Sequence, residues 1–384
     1  MTRKIAVLTI THNSPLRMNY GNRLQNYALQ QTLIKLGHQV MTVDYKSVYP
    51  PREHKITTVH KRTFFERLRS LTAEKVIRKL RDKILRIRNK AAYKHKLNSF
   101  DNFIRTNISW TEKKYSIDSD FSGLDSEFDY IIAGSDQIWN PYWEGTQPVY
   151  FMEFVPENKR ITYAASFGVS GVQDIPENMR EYYKRVLTNI PFISCREDSG
   201  CGIVEALTGK KALHVLDPVF LLEPNEWSLL EKKPSGVYIA KRYILVYFLG
   251  SIPDEAVQKI KSLKSQGFSI IYLDRADKFN SCFASPEEFL YLISHAQAIL
   301  TDSFHGCAFS IIYNRPFTYF NREIYLEDMS SRFDSLFKML SCSRYANEVV
   351  HENEILSMNY DSVNASIAKY KAVSLKFLKS AVDR

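Results

Sequence analysis

The sequence is short of several features, and each shortage excludes a class of protein. No apolar run approaches the length of a membrane-spanning helix. The five cysteines are an odd, scattered set without a C-x-x-C pair, which disfavours a zinc site or a disulfide framework and favours reduced thiols in a cytoplasm. No group of carboxylates has the spacing of metal ligands, so we expect no metal. Internal repeats and low-complexity tracts are also missing.

A signal peptide and the usual dinucleotide-binding motif are not expected either. The first predicted strand, residues 5–10, is too short for a signal peptide, and the polar loop after it has no small-residue cleavage site. The next turn, Tyr20-Gly21-Asn22-Arg23, does not fit G-x-G-x-x-G, so nicotinamide or flavin binding there is not expected. It offers instead a flexible glycine, an asparagine that can cap the helix it starts, and a cation.

The positive charge is confined to one segment. The chain has a formal net charge of +10, yet residues 51–100 contain sixteen Lys or Arg against four Asp or Glu, so the remainder is weakly acidic. Apolar residues at helical spacing between 61 and 104 predict an amphipathic, basic helix. Two interpretations stay open: docking on an anionic membrane surface, or the solvated face of a helical insertion. Nucleic acid is not an expected partner, because stacking aromatics and a binding motif are both missing.

The hydrophobic pattern predicts an α/β protein in two parts. Strand, loop, helix and strand follow one another within the first 45 residues, which indicates a parallel βαβ unit. A polar stretch at 223–241 predicts a linker, and a second strand–helix series begins at residue 243. We therefore predict two Rossmann-like parallel-sheet domains facing a central cleft. Their predicted limits are 1–232, with a basic helical insertion at about 55–107, then 233–353, then C-terminal helices 354–384 that cross back to the first domain.

The stretch 298–312 contains the clearest candidate site. It predicts a buried strand, a polar turn and a helix, with Asp302 or Ser303 as the N-cap. The free N–H groups of the first helical turn would form an anion site, and His305 adds a titratable donor near neutral pH. The alternative is an ordinary capped helix with His305 packed beneath it.

A second polar turn follows the predicted strand that ends at residue 133. It reads Gly134-Ser135-Asp136 and leads into an aromatic cluster that begins at Trp139. Aromatic faces beside a carboxylate and amides suit a sugar, which has apolar C–H faces and needs fixed hydrogen bonds to its hydroxyls. Packing alone would explain the aromatic residues equally well.

Several short segments, taken together and in order, point to one family. They are Gly21-Asn22, Ala133-Gly134-Ser135-Asp136, Ala164-Ala165-Ser166-Phe167-Gly168, Cys195-Arg196-Glu197-Asp198, Leu216-Asp217-Pro218-Val219-Phe220-Leu221-Leu222, and the turn Thr301 to Gly306. With these segments the chain resembles the polysaccharide pyruvyl transferase family. The resemblance implies a fold like that of GT-B glycosyltransferases. It also implies transfer of the pyruvyl group of phosphoenolpyruvate to sugar hydroxyls, commonly as a ketal on a cell-surface glycan precursor.

The resemblance carries over to some positions and departs at two, one of which is the Gly-Gly-Gly of other members, reduced here to Ala133-Gly134-Ser135. In the family an Arg-Leu-His triplet stands where this chain has Ser303-Phe304-His305, and an Arg-Asp pair stands near Arg196 and Glu197. His305 and Arg196 therefore match, whereas the arginine expected at 303 is replaced by serine. A hydroxyl does not replace a bidentate guanidinium, so Arg332 or Arg23 is the candidate substitute.

The resulting hypothesis divides the site between the two domains. Phosphoenolpyruvate is the co-substrate, with no other cofactor and no metal, and the acceptor is a sugar or a lipid-linked oligosaccharide. His305 is the expected general acid and Asp136 the expected base. The expected donor-binding residues are Arg196, Ser303, Phe304, Gly306 and Arg332, and the expected acceptor-binding residues are Asn22, Arg23, Gln137 and Trp139.

Two other functions remain open at this point. A GT-B glycosyltransferase that uses a nucleotide sugar would need the same fold and the same helix-terminus phosphate site. A non-catalytic, membrane-associated partner of a glycan assembly complex would use the basic segment instead. In each case we expect a cytoplasmic protein, with peripheral binding to the inner face of the membrane as a further expectation.

Overall fold

The computed structural model describes residues 1–11, 18–46, 73–142, 148–235, 237–322, 331–342 and 358–383, with the side chains of the long basic helix described from residue 90. The first part of the predicted insertion, residues 55–72, and Trp143 of the predicted aromatic cluster lie outside these ranges. All five cysteines are described, and each is a free thiol.

The first half of the chain forms a five-stranded sheet in the order β3-β2-β1-β4-β5, with every neighbouring pair parallel. Its central strands are buried on both faces, which explains their continuous apolar runs. The bounds of the five strands are β1 Lys4–Leu8, β2 Gln39–Tyr45, β3 Trp110–Tyr115, β4 Tyr130–Ala133 and β5 Arg160–Thr162.

Two short strands extend this sheet beyond β5. β6 (Ser194–Cys195) pairs with β7 (Leu213–His214), and isolated bridges join residues 161 and 165 to the segment that contains β6. The helices of this half are α1 Tyr20–Lys35, α2 Ala73–Asn107, α3 Ser122–Glu127, α4 Glu177–Thr188, α5 Asp198–Thr208 and α6 Pro224–Ser228.

The second half repeats the same topology, with strand order β10-β9-β8-β11-β12 and all pairs parallel. The bounds of its strands are β8 Tyr243–Tyr247, β9 Ser269–Leu273, β10 Ser281–Cys282, β11 Ala298–Thr301 and β12 Phe317–Tyr319. Its helices are α7 Asp254–Ser265, α8 Pro286–Ser294, α9 Phe304–Ile312 and α10 Ser331–Met339.

Helix α1 joins the two halves through an apolar interface. Tyr20, the first residue of α1, stacks on Phe289 of α8 with ring centroids 4.4 Å apart, and its hydroxyl donates to the Ala284 carbonyl at 3.1 Å. Leu24 of α1 and Phe309 of α9 belong to the same buried cluster. Burial of apolar surface thus fixes the second half against the first.

The last helix, α11 (Asp361–Val382), packs on the first half. Phe377 and Leu378 lie in one apolar cluster with Ile5 and Val7 of β1, and the Leu216 N–H donates to the Ser374 hydroxyl at 3.1 Å.

The exact domain limits given above remain predictions.

The described part of the basic helix is docked on the protein along one side. Phe100 and Phe103 are buried among residues of both halves, and Lys96 pairs with Asp274. Ala91 is one of the apolar residues at helical spacing on which the prediction of an amphipathic helix was based, and its side chain is exposed. Within the described ranges, no helix combines the length and the apolar character needed to cross a membrane.

Candidate functional site

The predicted site residues gather where the carboxyl ends of the two sheets meet. In each sheet the strand order reverses beside the first strand, between β1 and β4 and between β8 and β11, and such switch points form crevices for ligands. Asp136 follows β4, Arg196 follows β6, and His305 lies in the first turn of α9 after β11. The fold therefore places side chains from distant parts of the chain beside one another.

The turn after β11 is organised by two different side chains. Ser303 is the N-cap of α9, because its hydroxyl accepts from the Gly306 N–H at 3.3 Å. Asp302 instead accepts from the backbone N–H groups of Leu249 and Gly250, at 2.7 and 3.0 Å. The hydroxyl and the backbone N–H of Ser303 are both engaged, since the N–H donates to the Thr301 hydroxyl at 3.0 Å. Ser303 thus acts as the cap, and Asp302 ties the turn to the loop after β8.

Gly306 has a steric role in this turn. A Cβ atom at this position would come within 2.5 Å of the Thr301 hydroxyl oxygen. The close approach lets the first turn of α9 begin directly after β11. Because the first N–H groups of a helix have no acceptor within the helix, this end of α9 presents donors and partial positive charge to the site.

His305 lies against the first turn of α1 from the other half. A Cβ atom on Gly21 would come within 1.9 Å of the His305 Nδ1 atom, so glycine is the residue that leaves room for the ring. On its other side, His305 Nε2 lies 3.6 Å from Asp217 Oδ2. That distance is longer than an ordinary hydrogen bond, and Nε2 is buried without a hydrogen-bond partner.

Arg196 is the central cation of the site. Its Nη1 atom donates to Asp217 Oδ2 at 2.9 Å, whereas Nε and Nη2 are buried without a hydrogen-bond partner. The guanidinium lies over the ring of Phe304, with its carbon 4.4 Å from the ring centroid. This cation–π contact makes Phe304 a support for Arg196.

Arg332 brings a second buried guanidinium from α10. Burial and the nearby charge of Arg196 together lower the pKa of Arg332 to about 10, against the opposing effects of Glu197 and Asp136. Helix α10 is tied to the first half because the Asp198 N–H donates to the Ser335 hydroxyl at 3.1 Å. The Nε atom of Arg332 has no hydrogen-bond partner. Arg332 is thus the nearer of the two candidates for the missing family arginine.

Arg23 faces a different group. Its guanidinium is buried, which lowers the pKa of Arg23 to about 10, and the charge that partly offsets this shift belongs to Asp101 of α2. Because Asp101 belongs to the basic helix, Arg23 lies near that helix and is the weaker candidate for the donor clamp.

Three carboxylates surround Arg196. Besides Asp217, Asp136 Oδ1 lies 3.7 Å from Nη2 and Glu197 Oε2 lies 3.9 Å from Nε. Asp136 has the left-handed φ of +72°, an uncommon conformation for aspartate that marks a position held by its surroundings. The negative charge of the carboxylates nearly balances the positive charge of the guanidinium groups. The guanidinium groups can therefore bind an anion, and the carboxylates are candidate proton acceptors.

The predicted acceptor residues are all buried, and one of them needs correction. Trp139 is fully buried and its ring is parallel to that of Phe151, so its face cannot serve as a platform for a sugar. The structure assigns it to the core, as the packing interpretation allowed. Gln137 Oε1 accepts from Asn140 Nδ2 at 2.8 Å and braces the turn instead.

Asn22 is also not the helix cap that the sequence suggested. Helix α1 begins at Tyr20, and Asn19 is the N-cap, with its side chain accepting from the Gly21 N–H at 2.8 Å. Asn22 therefore lies in the first turn, and its Oδ1 atom is buried without a hydrogen-bond partner. A buried acceptor of this kind suits a ligand hydroxyl.

Asp217 is the site residue that the sequence-based list omitted. It is fully buried, and it contacts Arg196 and His305 at the distances given above. The available signal was its position after the β-run 214–216, one of several strand ends expected to converge on a cleft, but we assigned Asp217 no role there. Within the described ranges, no group of three His, Cys, Asp or Glu side chains is arranged to hold a metal ion.

Comparison with solved structures places the chain in the GT-B class of folds. It superposes on UDP-GlcNAc 2-epimerase from Neisseria meningitidis with a TM-score of 0.50 at 10% identity, covering 98% of this chain and 100% of that one. The 2-epimerase from Methanocaldococcus jannaschii gives 0.46 at 11% identity, covering 96% and 99%. The E. coli ADP-heptose heptosyltransferase II gives 0.36 at 11% identity, covering 95% and 99%. At 10% identity the likeness to the Neisseria enzyme shows the fold alone.

The sequence identifies the family within that class. The profile for polysaccharide pyruvyl transferase matches residues 19–323, which include Asp136, Arg196, Asp217 and His305 but not Arg332. The chain belongs to the polysaccharide pyruvyl transferase family. A comparison with curated proteins gives no match.

Proposed function

We propose that this protein transfers the pyruvyl group of phosphoenolpyruvate to hydroxyls of a sugar in a cell-surface polysaccharide or its lipid-linked precursor, forming a ketal and releasing phosphate. The observation that supports this proposal best is the pair of buried arginines at the N-terminus of α9. Arg196 and Arg332 retain N–H donors without hydrogen-bond partners, and His305 lies 3.6 Å from Asp217, the carboxylate that pairs with Arg196. Buried guanidinium groups with unused donors are suited to a ligand that carries both a carboxylate and a phosphate.

The donor would lie between the two halves. Arg196 reaches the site from the first half, and Arg332 and the N-terminus of α9 reach it from the second. One anionic group of phosphoenolpyruvate can accept from the guanidinium groups while the other faces the helix N-terminus. In this arrangement Arg332 takes the role that the family arginine at position 303 would have, and Ser303 keeps its role as the cap.

The chemistry needs one acid and one base, and the site offers both. His305 gives a proton to the methylene carbon of phosphoenolpyruvate, and positive charge develops on the adjacent carbon. A sugar hydroxyl adds to that carbon while Asp136 accepts its proton. The bond to phosphate then breaks, and a second hydroxyl completes the ketal. Of the two hydroxyl protons, one balances the proton now in the methyl group and the other leaves with the phosphate.

The acceptor would bind along the first half. Asn22 Oδ1 offers a hydrogen-bond acceptor in the first turn of α1, close to the Gly21–His305 contact. Asp136 follows β4, which pairs with β1, the strand that precedes α1. These two groups are our candidates for holding and activating the sugar hydroxyls.

The experiment that tests this function compares donors. Purified protein is screened for thermal stabilisation by phosphoenolpyruvate and by nucleotide sugars, and phosphate release from phosphoenolpyruvate is measured with an oligosaccharide acceptor. The proposal predicts stabilisation by phosphoenolpyruvate and phosphate release that His305→Ala abolishes. The control His38→Ala, in the turn between the C-terminus of α1 and β2, leaves phosphate release intact. Stabilisation by a nucleotide sugar alone would favour a glycosyltransferase and overturn the proposal.

A further inference from the structure

We propose that Asp217 is a positioning residue that holds Arg196 and His305 in their relative places across the two halves of the molecule. The inference rests on the pyruvyl transfer proposed above and names a residue through which that site is organised.

The position of Asp217 is fixed by its own backbone neighbourhood. The residue begins a 3₁₀ turn, Pro218–Leu221, and its Oδ1 atom accepts from the Val219 N–H at 3.1 Å. The side chain is fully buried, so it has no alternative solvated position nearby. One carboxylate oxygen therefore anchors the turn, and the other points into the site.

Oδ2 of Asp217 is shared by three groups. It accepts from Arg196 Nη1 at 2.9 Å and lies 3.6 Å from His305 Nε2. The Ser135 hydroxyl is 3.3 Å from Oδ2 and divides its one proton between this oxygen and the Ala164 carbonyl, which is 3.1 Å away. Arg196 and Ser135 belong to the first half, and His305 belongs to the second. A single oxygen thus connects the cation that we assign to the donor with the histidine that we assign as its acid.

This arrangement determines which atoms of Arg196 remain for a substrate. Because Asp217 occupies Nη1, the Nε and Nη2 donors stay available, and both are buried without partners. Burial by itself would raise the pKa of Asp217, but His305 and Arg196 hold it well below its usual range. Asp217 therefore stays ionised, and its negative charge lies beside both Arg196 and His305.

The test is Asp217→Asn, because asparagine keeps an oxygen for the Val219 N–H and replaces Oδ2 by an amide that cannot accept from Arg196. Asp274→Asn is the matched control: Asp274 also pairs with a lysine and a tyrosine, but it contacts neither Arg196 nor His305. We expect kcat to fall about 10- to 100-fold in Asp217→Asn, with a smaller change in KM for phosphoenolpyruvate, and to stay near wild type in the control.

A second readout does not need turnover. The imidazole resonances of His305, assigned by their loss in His305→Gln, should shift in Asp217→Asn and stay in place in Asp274→Asn. An unchanged kcat together with unchanged resonances would overturn the inference. If the wild-type protein shows no reaction with phosphoenolpyruvate, the proposed function fails, and the resonances still decide whether Asp217 positions His305.

Should Asp217→Asn fail to fold, Ser135→Ala takes its place. This variant removes the hydroxyl that Oδ2 shares with the Ala164 carbonyl and keeps the pair between Asp217 and Arg196. Loss of this shared hydroxyl is expected to lower kcat about 2- to 10-fold and to shift the His305 resonances. Wild-type values for both would contradict the inference.

Discussion

The imidazole ring of His305 packs directly on the Cα of Gly21, so that a Cβ atom there would lie 1.9 Å from Nδ1 and 2.3 Å from Cε1. The two residues are far apart in sequence and belong to different halves of the fold. The contact explains why a glycine stands at the start of α1, where an ordinary helix would gain from a residue with a side chain.

Gly21→Ala should therefore displace His305 and reduce turnover. A displacement of about 1 Å of a catalytic group can cost about 100-fold in rate, and we expect a loss of at least this order. Gly202→Ala is the matched control, because Gly202 is exposed in α5 and an added Cβ meets no atom within 4 Å. Steady-state kinetics measures the turnover of both variants. Wild-type turnover in Gly21→Ala would show that the position of His305 is not critical.

Arg332→Lys tests the replacement of the missing family arginine. Lysine keeps the charge and loses the planar fork of donors, so KM for phosphoenolpyruvate should rise about 10- to 100-fold. Arg160→Lys is the control, because Arg160 is also buried but donates to the Val155 carbonyl outside the site. Both variants should lose stability, and only the first should lose affinity for the donor. An unchanged KM in Arg332→Lys would remove Arg332 from the donor site.

The ionised state of Asp217 predicts a specific pH dependence of stability. Its pKa in the folded protein is lower than in the unfolded chain, so its contribution is present above the unfolded value of about 4 and is lost as the pH falls below it. Asp217→Asn should be less stable than wild type by about 3 kcal/mol near pH 7, because it leaves the Arg196 cation buried and poorly paired.

Urea unfolding of the two proteins between pH 7 and pH 3 measures this difference. We expect the gap in free energy of unfolding to stay constant down to about pH 5 and to narrow as the pH falls below about 4. A gap that stays constant over the whole range would mean that the Asp217 charge does not stabilise the fold.

The basic helix predicts salt-sensitive binding to anionic vesicles. Within its described part, Lys90 and Lys94 are exposed, while the opposite side is docked on the protein. We expect sedimentation with anionic but not with neutral vesicles, and at least about tenfold weaker binding in Lys90→Glu/Lys94→Glu, since each nearby cation contributes about 1 kcal/mol. The pair Lys261→Glu/Lys264→Glu, exposed on α7, is the control. Binding that ignores lipid charge would refute this prediction.

The sequence was most informative where structure depends on neighbouring residues. The buried strands β1, β8 and β11 follow from continuous apolar runs, and the turn that leads into α9 follows from its cap. The sequence could not choose between Asp302 and Ser303 as that cap, because the decision depends on the loop at Leu249, which approaches only in the folded protein.

The same limit explains the errors in the candidate site. Asp217 meets His305 only because α9 docks on the first half, and local patterns contain no information about that contact. Trp139 lies beside a polar turn and could have faced a ligand, but its burial depends on Phe151 and the helix that contains Tyr183. Asn19 and Asn22 are both chemically able to cap α1, and the backbone geometry selects the first.

The central claim is that a pyruvyl group moves from phosphoenolpyruvate to a sugar. The direct measurement is mass spectrometry of free and lipid-linked oligosaccharides after incubation with the protein and phosphoenolpyruvate, with His305→Ala in parallel. We predict an acceptor whose mass increases by one pyruvyl ketal, together with an equal amount of phosphate, in the wild-type reaction only. Unmodified acceptors throughout, with a sugar added from a nucleotide sugar instead, would contradict the claim.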